Sequence, residues 1–303
     1  MKKSIILIIC LFVGSGLFAQ EKMYIHKSDK MTLGAPVSAT DSIFFSEDQS
    51  TALFRIGDTL ATYPVDAIDS ITFGDNMNTV YLTWLGTEVS VINPLAFEGV
   101  SVSVDGAYAI VHSSGVSQEV HYHLSGSTGE GTFKLYSDQD CQLQLNGIDI
   151  TNPVGPAVNI QSTHLTSIQL LAGTSNIVTD GPDYEDPPAG EDQDGPFFSE
   201  GMIEFSGMGT PTVNGLGSGK HGLCSDDFIE IDGGHITVTG AAKDGIHADE
   251  GLLITGGTIE VTSSGDGIDG DGGSVGISGG TVTVNIPSDD VKGIASDEEM
   301  LVS

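Results

Sequence analysis

Between residues 222 and 297 one pentapeptide returns four times: Gly222-Leu223-Cys224-Ser225-Asp226, Gly245-Ile246-His247-Ala248-Asp249, Gly267-Ile268-Asp269-Gly270-Asp271 and Gly293-Ile294-Ala295-Ser296-Asp297. The offsets are 23, 22 and 26 residues, and a period of this size marks stacked structural units. A glycine pair follows in three units, at Gly233-Gly234, Gly256-Gly257 and Gly279-Gly280, and each pair leads into an alternating stretch: Ile236 and Val238, Ile259 and Val261, Val282 and Val284. Side chains of a strand alternate between its two faces. Leu223, Ile246, Ile268 and Ile294 therefore form one inward column. Ser225, Ala248, Gly270 and Ser296 form a second, of small residues, and Ile229, Leu252, Val275 and Met300 a third; Thr237, Glu260 and Thr283 point outward. Each unit reads as three very short strands joined at glycine corners. Parallel strands need a crossover, and winding supplies it. The expected fold is all-β: a right-handed parallel β-helix of three faces, its core made of stacked like side chains. A β-sandwich would not require repeats of this length in phase.

Earlier residues fit the same rung less strictly. Phe198-Ser199-Glu200 aligns with the unit after Gly222 and puts Glu200 where Asp226 stands, while Ala157–Ile160 and Ile168–Leu171 read as strands of the preceding rung. Gly181 to Pro196 breaks the pattern with six acidic residues and four prolines, which predicts a solvated, mobile excursion. Cys141 and Cys224 fall about three rungs apart, ~14 Å at the ~4.8 Å strand spacing. That is too far for a disulfide.

The solenoid pattern begins near residue 79. Residues 20–78 hold a separate 28-residue duplication, Pro36-Val37 returning as Pro64-Val65 and Asp41-Ser42-Ile43 as Asp69-Ser70-Ile71, and read as a small β-module with residues 74–80 as its linker. Met1 to Ala19 has the charged start (Lys2, Lys3), the short apolar run (Ile5–Val13) and the small residues of a secretory leader, too short in its apolar part to span a bilayer. Secretion to the medium or the cell surface is the expectation.

The chain carries a net charge of −32, with only 10 Lys and Arg among 303 residues. A surface of this sign disfavours nucleic acid and anionic lipid as partners, because both are held by clustered basic side chains. Within the repeat the acids are ordered. Asp226, Asp249, Asp271 and Asp297 form an outward column with one carboxylate per rung. Asp244 and Asp266 form a shorter one, and Asp227 and Asp269 crowd it. Carboxylates one rung apart repel by ~0.9 kcal/mol in water and ~3.5 kcal/mol at an effective dielectric of 20. Lys220, Lys243 and Lys292 are too few to neutralise them. A divalent cation between rungs would, and carboxylates with turn carbonyls are the oxygen ligands calcium prefers. Solvated turn-capping aspartates are the alternative. His221 and His247 flank the columns at positions from which they could bond sugar hydroxyls. His121 and His123 share one strand face without an evident third ligand for zinc.

Several short catalytic patterns are products of the Gly- and Asp-rich repeat. Gly265-Asp266-Gly267-Ile268-Asp269-Gly270 matches a dinucleotide fingerprint with no helix to receive a pyrophosphate. Gly272–Gly276 and Gly276–Gly280 match a nucleophile elbow without its strand-to-helix turn. Asp269-Gly270-Asp271 opens like an EF-hand loop, but Gly280 stands where the closing Glu is required.

The segments Leu145–Asn152, Gly155–Ile160, Gly173–Asn176, Thr179–Gly181, Phe198–Gly201, Lys220–Asp227 and Lys243–Asp249 together resemble a family of bacterial carbohydrate-binding β-helix domains, similar in fold to pectate lyases and carrying calcium. The likeness runs from about residue 80 to the end; Pro211, where the family pattern has an aliphatic residue, and the lengthening at Pro287–Val291 depart from it. The resemblance implies binding of acidic or cellulose-like polysaccharide without an established catalytic centre. The expectation is a calcium-dependent, non-catalytic binder of acidic polysaccharide, with Asp226, Asp249, Asp271, Asp297, Asp244, Asp266 and Asp269 as metal ligands and Lys220, Lys243, His221 and His247 as sugar contacts. Two alternatives stand beside it. One is a pectate-lyase-like enzyme using Lys220, Lys243 or Lys292 as base, since no Arg follows Arg55; the other is a passive stalk or adhesin. The fourth unit stops one residue short of its glycine pair, leaving Ile294, Met300 and Val302 uncovered, so a continuation past Ser303 is expected.

Overall fold

A computed structural model describes residues 21–287 and 290–303; the leader expected over Met1–Ala19 lies outside them. The repeat winds as its periodicity predicts, into a parallel β-helix of three faces. One face is read most simply: Tyr108–Ser113, Thr132–Ser137, Val158–Ile160, Phe197–Ser199, Leu223–Ser225, Ile246–Ala248, Ile268–Gly270 and Ile294–Ser296 lie side by side in parallel register, one strand per turn. We call this the short-strand face. Leu223, Ile246, Ile268 and Ile294 are direct partners along it, and the first three are fully buried. The second face stacks Ile203, Ile229, Leu252, Val275 and Met300. The third stacks Ile236, Ile259 and Val282.

Two kinds of glycine shape the corners. Gly234, Gly257 and Gly280 have φ of +86°, +81° and +79°, a region that side-chain-bearing residues avoid. Gly222, Gly245 and Gly267 are different: a Cβ there would point into the core and collide with a Val Cγ1, of Val238, Val261 and Val284 respectively. The Gly that opens each pentapeptide is required by space, the Gly that follows the second face by backbone conformation.

The first turn is entered through antiparallel pairs. Thr79–Leu85 pairs antiparallel with Val89–Asn93, and Val100–Asp105 with Tyr108–Ser113. The 28-residue duplication appears as two copies of strand, one-turn 3₁₀ helix at Val37–Ala39 or Val65–Ala67, and strand. They enclose a separate core around Met23, Ile25, Phe54 and Ile56. Residues 75–78 have no regular structure, yet the module is stitched to the solenoid, because Met31–Leu33 pairs in parallel with Val91–Asn93. The buried Lys22 donates to Pro94 O at 2.8 Å and is ion-paired with Glu98.

Cys141 and Cys224 are separate buried thiols on different faces. The excursion at 181–196 differs from expectation. It folds back over the outside of the short-strand face and is tied down along its length. Glu191 meets Lys134 and accepts from Tyr136 Oη at 2.6 Å, Gln161 Nε2 donates to Asp192 O at 2.8 Å, and Asp194 pairs with Lys220 at 2.7 Å. Its composition is that of a solvated loop, but lysine and tyrosine partners on other rungs give its acids fixed places. The outward residues Asn159, Phe198 and Cys224 are buried beneath it.

Candidate functional site

The covering loop ends at the rung of Cys224, and the next two rungs carry the chemistry. In register with Cys224 come His247 and Asp269, both half-buried. At the corner just before the short-strand face stand His221, Asp244 and Asp266, which form a ladder. His221 Nδ1 accepts the Asp244 N–H at 3.3 Å, Asp244 Oδ1 accepts the Asp266 N–H at 2.6 Å, and Asp266 Oδ1 accepts the Lys292 N–H at 2.7 Å. Each rung's side chain satisfies the next rung's corner donor, which accounts for acceptors at this position. Asp244 and Asp266 thus each commit one carboxylate oxygen to backbone.

The ladder packs against the middle of the face. The His221 and His247 rings stack with centroids 4.0 Å apart and planes 19° apart. Asp244 Oδ2 lies 3.2 Å from His221 Nδ1 and 3.6 Å from His247 Nδ1; Asp269 Oδ2 lies 3.4 Å from His247 Nδ1. On the other edge of the ring His247 Nε2 meets Asp249 Oδ1 at 2.9 Å. Three groups bring ligand-type atoms within 4.8 Å of one another: His221, Asp244 and His247; His247, Asp249 and Asp271; Asp244, Asp266 and Asp269.

Beyond the face, the expected outward column is in place. Strand register sets Glu200, Asp226, Asp249, Asp271 and Asp297 at one position of successive rungs. Its electrostatics are severe. Burial pushes Asp226 up to about 7, and the carboxylates of Glu200, Asp249, Asp192 and Asp194 add to the rise. Asp269 is also raised, by burial and then by Asp244. Asp244 goes the other way: burial raises it, but the His221 contact and the Asp266 N–H outweigh that. Of the seven expected metal ligands, Asp226 and Asp297, the latter exposed on the last rung, join none of the three groups among the described residues.

Of the four expected sugar contacts, Lys243 is exposed on the rim. Lys220 is held by Asp194 and lies 5.1 Å above the Tyr184 ring. His221 and His247 turn toward the aspartates. Asp192, contributed by the loop, has no periodic signal in the sequence; its backbone N–H donates to Glu200 Oε1 at 3.2 Å. Glu200 had its signal in the register with Asp226. His121 sits 3.6 Å from Glu119, and the His123 ring lies tilted by 45° against Tyr81, centroids 5.1 Å apart.

The model of a family described as carbohydrate-binding domain-containing protein matches residues 106–303, about two thirds of the chain. The chain belongs to that family. The carbohydrate-binding domain so defined contains the loop, the ladder and the whole acidic column, while the duplicated module precedes it. A carbohydrate-binding domain-containing protein of Acetivibrio thermocellus is 28% identical over 139 residues, which are 45% of this chain and 48% of the relative. The chain therefore spans about half the length of that curated relative. Among solved structures, a polysaccharide lyase-like protein from C. thermocellum, studied as a gadolinium derivative, superposes with a TM-score of 0.61 at 21% identity, covering 74% of this chain and 97% of that one. That likeness establishes the parallel β-helix. The carbohydrate-binding family makes carbohydrate the partner class of this domain.

Proposed function

We propose that the chain is a secreted, calcium-dependent polysaccharide-binding protein that favours acidic polysaccharide and does not cleave it. The observation that carries the reading is the half-burial of Asp226 beside Glu200, Asp249 and Asp192: burial first, and then these carboxylates, lift Asp226 to about 7. Side chains that cannot all ionise alone can do so around a divalent cation, and an oxygen-only donor set suits calcium. A cation held there has coordination positions left for a uronate carboxylate. It would thus reconcile a strongly negative protein with a negative polymer. Lys243 on the rim is placed to meet a sugar hydroxyl or carboxylate. A lyase would need a free base of lowered pKa, and Lys220 is instead engaged by Asp194 and Tyr184.

Polygalacturonate and cellulose, each presented with millimolar calcium and with chelator, test this. Retention on polygalacturonate should vanish in chelator and in Asp226→Asn, with no rise in ultraviolet absorbance from unsaturated product. Chelator-insensitive retention contradicts the calcium bridge. Release of unsaturated product replaces binding with β-elimination.

A further inference from the structure

We infer that the duplicated module joins two copies of this chain, through the free edge of its strand Thr59–Pro64. This pairing is independent of the solenoid's ligand.

The duplication builds two three-stranded sheets on one plan. Lys22–Lys27 lies between Met31–Pro36 and Ile68–Gly74, and Thr51–Ile56 lies between Thr59–Pro64 and Thr40–Phe45. A shift of 28 residues carries Met31-Thr32-Leu33 onto Thr59-Leu60-Ala61. The first of these edges is occupied. It takes Val91–Asn93 in parallel, and the Val91 N–H donates to Lys30 O at 3.0 Å. The second has no strand beside it among the described residues, and Thr59, Leu60, Thr62 and Pro64 are exposed. Register fixes where its polar groups point. The Val65 N–H donates to Ser50 O at 2.9 Å, one step beyond the Thr51–Pro64 pair, and bonding alternates along an antiparallel ladder. Thr59, Ala61 and Tyr63 therefore bond inward to Thr51–Ile56, whereas Leu60 and Thr62 turn their N–H and C=O groups outward.

An open edge invites pairing unless it is blunted. The module's other two outer strands are blunted alike. Each has an aspartate, Asp41 in Thr40–Phe45 and Asp69 in Ile68–Gly74, at the point where the register slips by a residue. Thr59–Tyr63 has neither a charge nor a bulge, and Pro64 closes the strand only at its last position.

A second copy fits this edge. A two-fold axis at Ala61 sets two such strands antiparallel, with Leu60 of each opposite Thr62 of the other and Thr59 opposite Tyr63. The outward groups of Leu60 and Thr62 then satisfy one another, Asp58 faces Pro64 rather than a like charge, and two sheets become one. Leu60, 45% exposed in the single chain, is covered. Charge favours contact here over contact between solenoids: residues 79–303 hold 33 of the 42 acidic residues and only four lysines, so two copies repel least module to module.

Sedimentation velocity of the untagged full chain in chelator, over a range of concentrations, is the test. The mass should be twice that of one chain at high concentration and fall to one chain on dilution. Thr62→Pro removes an N–H that the inner ladder does not use, at an edge position where Pro is tolerated. It and Leu60→Lys should each leave single chains with unchanged circular dichroism. Thr283→Lys, which adds the same charge at an exposed solenoid position, should leave the dimer intact. Ala61→Cys should link two copies by a disulfide on mild oxidation, because opposed residues of this kind stand about 4.5 Å apart; the buried Cys141 and Cys224 should give no link in the unaltered chain. A single-chain mass at every concentration overturns the inference, whether the edge then stays open or takes a strand of another protein. So does a dimer that survives both Thr62→Pro and Leu60→Lys, which would place the contact elsewhere.

Discussion

At Asp226 a single side chain sets a pH dependence. An unfolded aspartate titrates near 4, and the folded one is raised to about 7. The folded state therefore binds the proton more tightly, so the contribution of Asp226 is full below pH 4 and is lost as pH rises through 7. In chelator, Asp226→Asn should melt several degrees above the unaltered chain at pH 8 and level with it at pH 4. Calcium should reverse the order at pH 8, because only the carboxylate can use it. Equal melting at pH 8 in chelator would remove the crowding argument. Gly245 gives a second residue-level test. A Cβ there would strike Val261 Cγ1, so Gly245→Ala should cost about 1–3 kcal/mol, as overpacking does, read from denaturant unfolding. The same substitution at Gly219, on an open corner with nothing near its Cβ direction, meets no clash but has φ +67°, and should cost about 1 kcal/mol through backbone strain alone.

Among the elements, strands were legible and the loop was not. Leu223, Ile246 and Ile268 announced the inward column because identical positions must stack at a fixed period. The column Glu200–Asp226–Asp249–Asp271 followed from the same register. The cluster of His221, Asp244, His247 and Asp269 was only half visible. His221 and His247 are in different columns of the repeat, and their stacking depends on how a corner folds onto a face, which periodicity does not encode. The 181–196 loop misled because proline and acidic content describe solubility, whereas its placement depends on Lys134, Tyr136 and Lys220, distant in sequence. Glu191 is its anchor. Glu191→Ala should speed limited proteolysis between residues 186 and 190 severalfold, measured by mass spectrometry of the first fragments, with melting little changed. Cleavage at the unaltered rate would mean that the anchor is not what holds it.

For the molecule as a whole, the module and the solenoid have separate cores but one shared strand pairing, Met31–Leu33 with Val91–Asn93. The module thereby covers the sheet edge at that end, along with the buried Lys22–Glu98 ion pair. A chain starting at residue 76 would expose the Val89–Asn93 edge and leave Glu98 without its cation. It should melt lower than the chain that retains the module and form soluble oligomers by light scattering, as open strand edges do. A monomer of unchanged melting temperature would show the module to be an independent appendage.

The pinned loop also has a mechanical meaning. Each turn of a solenoid touches only its neighbours, so tension applied along the axis should peel it turn by turn from a free end. The loop is bonded to the turns of Lys134, Gln161 and Lys220 at once, and therefore acts as a strap running parallel to the pull. Load reaching those turns is shared among them. In an optical trap the turns after Lys220 should release in small separate steps, and the strapped turns should yield together, at higher force, in one large extension.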